Sequence, residues 1–323
     1  MTFAEHARIK IPAILKAALG LALFICSESA VYYIFSALHI DCDTYNGAFN
    51  FTASVIILVV MILFNKISSK KDEKLFKFNK ISPDQTAALV IIGIGMLGMV
   101  TTYIIIADRI SAYLESLKDA MEQYRENVDR HYETTQVIIP FWDSILYTIT
   151  LCFIVPLSEE FTFRGVVFGE LRRGFGPWIT VILSALVFGI MHGVSVHIGY
   201  ALACGFIIAA CYHLTNSLYA PILLHTVFNI FGSGIANILE TEQLGVPIDV
   251  TRAVLTGLNV SSILFMPVAV LAFAYLVSVN RKKQAKEKEL EDAVASKDAA
   301  DNTTTEPDGN IVLSEGMETE AQE

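Results

Sequence analysis

The sequence is short of charge. Only 17% of its 323 residues are Asp, Glu, Lys or Arg, against 54% hydrophobic, and the mean hydropathy is +0.52. Ordinary soluble domains carry about a quarter charged residues, so a soluble globular fold is excluded. Cysteine chemistry is missing too. The five cysteines show no paired spacing and no CxxC, and Cys26, Cys152, Cys204 and Cys211 lie inside apolar runs, where a small packing residue is the expectation. There is no HExxH zinc pair, and no Ser, Cys or Thr stands in a nucleophile context. No basic patch interleaved with aromatics supports nucleic-acid binding.

What the chain has in quantity is apolar length. Stretches near or beyond 18 residues recur, each long enough for a hydrocarbon layer about 30 Å thick. They predict an all-α polytopic bundle of about eight spans: residues 11–37, 48–65, 86–107, 144–168, 177–197, 198–215, 218–238 and 255–279. Arg8 and Lys10 precede the first run as in a signal peptide, but the run continues past Glu28 to Leu38 and reads as a span. The connection 66–80 carries six lysines, Arg172-Arg173 and Arg281-Lys282-Lys283 mark two other ends, and 38–47 has no Lys or Arg. Placing the basic ends inside predicts both termini in the cytoplasm.

The net charge of −10 belongs mostly to the tail, where Arg281–Glu323 holds 6 basic and 12 acidic residues. From about residue 285 the tail lacks apolar periodicity and is expected to be disordered. Residues 108–135 read as a charged, extracytoplasmic connecting helix. The expected organisation is therefore N-terminal membrane helices with that charged helix over 1–139, a core over 140–240, a last membrane helix over 241–284 and an acidic tail over 285–323.

Ionisable groups inside apolar spans are costly, by about 2.5–3.5 kcal/mol at a helix centre on insertion scales, and point to function. Glu159, Glu160 and Arg164 end the fourth span, His192 lies in the fifth, and His225 and Asn229 lie in the seventh. Glu160 and Arg164 share a helical face at i,i+4, while Glu159 is turned by about 100° and left free. Phe188/His192 and His225/Asn229 have the same spacing. A carboxylate beside an imidazole can take a proton from water, and a second imidazole with a carboxamide can donate to an oxyanion. The set predicts hydrolysis by an activated water. For Glu28, His197, His213 and Asn237, with no visible partner, a packing role is the expectation.

Glu-Glu-x-x-x-Arg at 159–164, Phe-x-x-x-His at 188–192 and His-x-x-x-Asn at 225–229, in this order on successive membrane helices, resemble the CAAX protease and bacteriocin-processing (Abi) family over roughly residues 140–240. The resemblance implies an intramembrane endopeptidase, often called a metalloprotease, in a bacterial plasma membrane. Glu159 and His192 would activate water, His225 and Asn229 would support the oxyanion, and Glu160 and Arg164 would hold the site together. Its substrates would be CaaX-type, bacteriocin or other peptides at the membrane surface, reached from the cytoplasmic side. Zinc could sit on Glu159, His192 and His225 with water in the open position; a metal-free Glu–His mechanism uses the same residues. The alternative from another class is a non-catalytic immunity or regulatory scaffold that clasps a client helix. A proton-coupled transporter is a third reading, but no internal repeat supports it.

Overall fold

The computed structural model describes residues 3–69, 74–133, 139–193 and 195–303. It is an all-α bundle of an integral membrane protein, and among the described residues no strand forms beyond one isolated bridge, Phe78 to Ser217. In chain order the helices are α1 (Phe3–Ala37), α2 (Asn46–Ser68), α3 (Pro83–Ser111), α4 (Glu115–Glu133), α5 (Phe141–Ile149), α6 (Val155–Glu160), α7 (Phe168–Gly174), α8 (Pro177–Ile190), α9 (Ser195–Thr215), α10 (Tyr219–Asn229), α11 (Ile235–Glu240) and α12 (Ile248–Thr303). By contacts, Met1–Val277 is one compact unit and Ser278–Glu323 a second.

Among the described residues, seven helical stretches are long and apolar enough to cross a membrane: Lys10–Ala37, Asn46–Ser68, Pro83–Ser111, Phe141–Gly174, Val196–Thr215, Tyr219–Glu240 and Ile248–Ser296. The eighth apolar segment, α8, has only 14 residues. At 1.5 Å per residue that is about 21 Å, short of a full crossing. The sequence expectation of a span over 177–197 is corrected here. The chain leaves the helix at Ile190, turns through Met191 and His192, and passes Gly193 at φ +71° before α9 begins. Glycine takes that left-handed backbone without a Cβ clash, which lets the helix stop.

Two further boundaries differ from expectation. The charged segment 108–135 is not one helix: α3 runs on to Ser111, a break follows over 112–114, and α4 begins at Glu115. Residues 134–138 lie outside the described residues. The tail is helical as far as Thr303 rather than disordered from 285. Its Ala, Lys, Glu and Leu are strong helix formers, and Lys283–Glu287 make an i,i+4 pair at 3.8 Å. Residues 304–323 lie outside the described residues.

The core of the larger unit forms where α2, α7, α8 and α9 meet around Met61, Phe168, Val181 and Tyr212, and where α3, α9, α10 and α12 meet around Leu89, Ile208, Leu224 and Leu276. The lysine-rich connection is stitched to the α9–α10 turn. Leu218 N–H donates to the Lys77 carbonyl, Asn79 donates to the Asn216 carbonyl, and Ser217 donates to the Asn79 carbonyl. Asn216 sits at φ +52°, which asparagine tolerates.

A long-range cap fixes α2 to α5. Asp143, fully buried, accepts from Gly47 N–H at 2.7 Å and Ala48 N–H at 2.9 Å, two donors of the α2 start with no helical partner. A Cβ at Gly47 would lie 2.2 Å from the Asp143 carbonyl oxygen, so this approach requires glycine. Asp143→Ala is expected to cost roughly 2 kcal/mol of stability by orphaning both donors. Asp143→Asn, which keeps one acceptor, should cost less. Thermal unfolding in detergent reads the order.

Candidate active site

Within Phe141–Gly174 the helix changes pitch twice. Residues Thr150–Ile154 and Phe161–Val167 form π-helical turns, and Ile230–Gly234 forms a third directly after Asn229. Such turns are rare and concentrate at functional sites because they leave carbonyls unclaimed and re-aim side chains. The first shows how. Val155 N–H bonds the Thr150 carbonyl, one residue further back than in an α-helix. The Leu151 carbonyl would then await the next N–H, but residue 156 is proline and has none. Asn229 fills the gap, its Nδ2 donating to Leu151 O at 2.8 Å. A buried carbonyl is thereby satisfied, and α10 is locked to the helix that bears the glutamates.

The second π turn begins immediately after Glu160. Both Glu160 and Arg164 are fully buried, and Arg164 Nη1 donates to Glu160 Oε1 at 3.0 Å. Arg164 Nη2 donates to the Gly205 carbonyl of α9 at 3.1 Å, and its guanidinium lies 4.4 Å over the Phe188 ring of α8. One side chain thus ties together three helical segments through an ion pair, a carbonyl bond and a cation–π contact.

His225 of α10 meets both glutamates. Its Nδ1 lies 2.7 Å from Glu160 Oε1, and its Nε2 lies 3.9 Å from Glu159 Oε2. Glu160 Oε1 accepts from Arg164 Nη1 and serves as acceptor for His225 too, so Nδ1 carries the hydrogen and Nε2 is left facing Glu159. Glu159 is 19% exposed where Glu160 and His225 are 0% and 8%. The split between the adjacent carboxylates follows from their roughly 100° separation around the helix: one turns into the bundle, the other keeps an exposed edge.

His192 joins by a different route. It lies in the turn after α8, half-buried, with Nδ1 2.8 Å from the Phe188 carbonyl. A carbonyl only accepts, so Nδ1 again carries the hydrogen and Nε2 keeps its lone pair. The Phe188 ring stands 4.6 Å from the His192 ring and 6.1 Å from the His225 ring. Phe188 therefore sits among Arg164, His192 and His225. The motif spacing singled out its position; its central ring contacts needed coordinates. The structure brings Glu159, Glu160, Arg164 and His225 into one bonded set. It connects His192 through Phe188, and it ties Asn229 to a backbone carbonyl.

Of the residues expected only to pack, His197 is in ring contact with Tyr124 of α4 at 5.5 Å and His213 with Trp178 at 5.4 Å. Asn237 keeps a buried Nδ2 without a partner. Among the described residues, no three His, Cys, Asp or Glu side chains stand close enough to hold one metal ion. In this arrangement Glu159, His192 and His225 do not fit the zinc that the resemblance allows.

Residues 141–231, a stretch that contains all three motifs, match the family model described as Type II CAAX prenyl endopeptidase Rce1-like, which is consistent with the CAAX protease and bacteriocin-processing family. A Bacillus subtilis (strain 168) protein named "Putative membrane peptidase YdiL" is 29% identical over 123 residues, 38% of this chain and 50% of that protein. A Lactococcus lactis subsp. lactis (strain IL1403) protein named "UPF0177 protein YxdF" is 32% identical over 89 residues, 27% of this chain and 49% of that protein. The chain spans about half the length of these curated relatives. No solved structure matches.

Proposed function

We propose that this protein is an intramembrane endopeptidase that cleaves peptides at the membrane with a water activated by Glu159 and His192. The observation that carries the reading is the division of exposure at the site. Glu160 and Arg164 are sealed, while Glu159 and His192 keep access to solvent. Those two groups alone combine a proton acceptor with a place for water, which suits them to general-base work.

In the proposed reaction Glu159, assisted by the free His192 Nε2, takes a proton from water as its oxygen attacks the peptide carbonyl. Charge collects on that carbonyl oxygen. His225, held at Nδ1 by Glu160, turns its Nε2 to the Glu159 side, where its protonated form donates to the oxyanion. The C–N bond then breaks as the proton on Glu159 passes to the leaving nitrogen, giving a carboxylic acid and an amine, and the acid's remaining proton moves to the amine to leave a carboxylate and an ammonium. Asn229 contributes by holding α10 at the height of the glutamates, with its carboxamide at the oxyanion as the further role the resemblance implies. CaaX-type, bacteriocin and other membrane-associated peptides are the substrate classes, and the lipid bilayer is the other constant neighbour.

His192→Ala tests this directly. His192 bonds only a carbonyl of its own turn, so the variant should fold as wild type does, yet hydrolysis should fall by about 10²-fold or more. A cleavage assay in liposomes on a peptide library, with and without a lipidated cysteine, provides the readout. A variant as fast as wild type would remove His192 from the chemistry. No cut by folded wild type on any peptide would favour the client-binding scaffold.

A further inference from the structure

Glu28 is an exposed carboxylate inside an apolar span, and it forms no hydrogen bond or ion pair with the described residues. Its place follows from packing. Going along α1, Ala17 is buried with Val167 and Leu171, Gly20 faces Val166, and the Phe24 ring lies 5.7 Å from the Phe163 ring. The two helices run antiparallel in steady register, so the next turn of α1 sets Glu28 opposite Glu159.

Depth agrees. Lys10 lies over the Phe175 ring at 5.4 Å, which brings the start of α1 and the end of α7 to one level. Counting 1.5 Å per residue from that end, Glu28 stands about 27 Å along α1, and Glu159 about 22 Å back from Gly174. His192 is about 22 Å from Pro177 by the same count. All three belong to one stratum of the bundle.

An unpaired carboxylate at this depth is stable only against water or a ligand. The charges around it do not balance. Arg164 is committed to Glu160 inside the bundle, which leaves Glu28 and Glu159 with the histidines alone.

We propose that Glu28 is a specificity-determining residue that takes a cationic side chain, Lys or Arg, of the substrate peptide beside the bond presented to Glu159. Packed helices stand about 8–10 Å apart, and an extended peptide advances about 3.3 Å per residue. The basic residue is therefore two or three positions from the scissile bond. This rests on the endopeptidase reading and names the substrate it selects.

The test compares peptides identical except for Lys, Gln or Glu at each of three positions on either side of the cut. Wild type in liposomes is expected to prefer the Lys peptide about tenfold or more over the Gln peptide at one position, mainly through KM. Glu28→Gln should lose that preference, and Glu28→Lys should transfer it to the Glu peptide, a gain that only a folded protein shows. Preference unchanged in Glu28→Gln, or all peptides slowed alike in both variants, would overturn the assignment. If wild type cleaves nothing, binding of fluorescent Lys and Gln peptides to the solubilised protein decides. Tighter Lys binding that depends on Glu28 would retain the inference while removing the peptidase. Equal binding would overturn both.

Discussion

Replacing Glu159 by Gln is expected to abolish peptide hydrolysis, with kcat down by about 10³-fold or more, while leaving the fold intact. The side chain is the same length, it is partly exposed, and its nearest ionic contact is His225 Nε2 at 3.9 Å, so little structure depends on its charge. The carboxamide cannot take the proton from water. A cleavage assay beside a thermal unfolding scan separates the outcomes: lost hydrolysis at an unchanged midpoint is the expected result. Retained hydrolysis would move the base to another group. A client peptide that binds wild type and variant equally, with neither cleaving it, would favour the scaffold.

The second large effect concerns stability. Removing one partner of a buried ion pair leaves the other charge without compensation and costs about 3–5 kcal/mol. Arg164→Met would discard the pair with Glu160, the bond to Gly205 O and the contact with Phe188 together. Its unfolding midpoint in detergent should fall by on the order of 10 °C. Glu160→Gln should cost nearly as much, since it strands a buried guanidinium, although His225 Nδ1 keeps an oxygen to donate to. The combined Glu160→Gln/Arg164→Met change removes both charges and should recover much of the stability. It should not recover hydrolysis, because His225 loses the anion that orients it. Additive losses in the double variant would show that the two residues stabilise the bundle separately.

Much of the architecture was legible because apolar length marks membrane helices. The starts and ends of α2, α3, α9 and the Tyr219–Glu240 stretch fall within a few residues of the sequence reading. The places where it fails share a cause. Hydropathy sees composition, so it carried the fifth span through Gly193 and merged the end of α3 with α4, where single backbone angles or short turns end a helix. Nor does periodicity register a π turn, since one extra residue per turn leaves an apolar run apolar. Hence the i,i+4 spacings anticipate the Glu160–Arg164 pair, but not the Leu151 carbonyl waiting for Asn229 or the contacts of Arg164 with Gly205 and Phe188. For Glu28 the sequence offered a charge without a partner. Only the register of α1 against Phe163 and Val166 placed it opposite Glu159.

The brevity of α8 also affects the lipid around it. Trp178, Ile179, Ile182, Leu186 and Ile190 form its exposed apolar stripe, and the stripe ends with the helix. Acyl chains beside it meet about 21 Å of matching surface where an average leaflet pair offers about 30 Å. A bilayer of that thickness is expected to thin beside the stripe or to admit headgroups and water at one of its ends, and one of those ends is the turn bearing His192. Such a mismatch costs fractions of a kcal/mol per ångström. Thinner membranes carry less of that strain, so acyl-chain length acts on the shape of the molecule at the same point where water must come in.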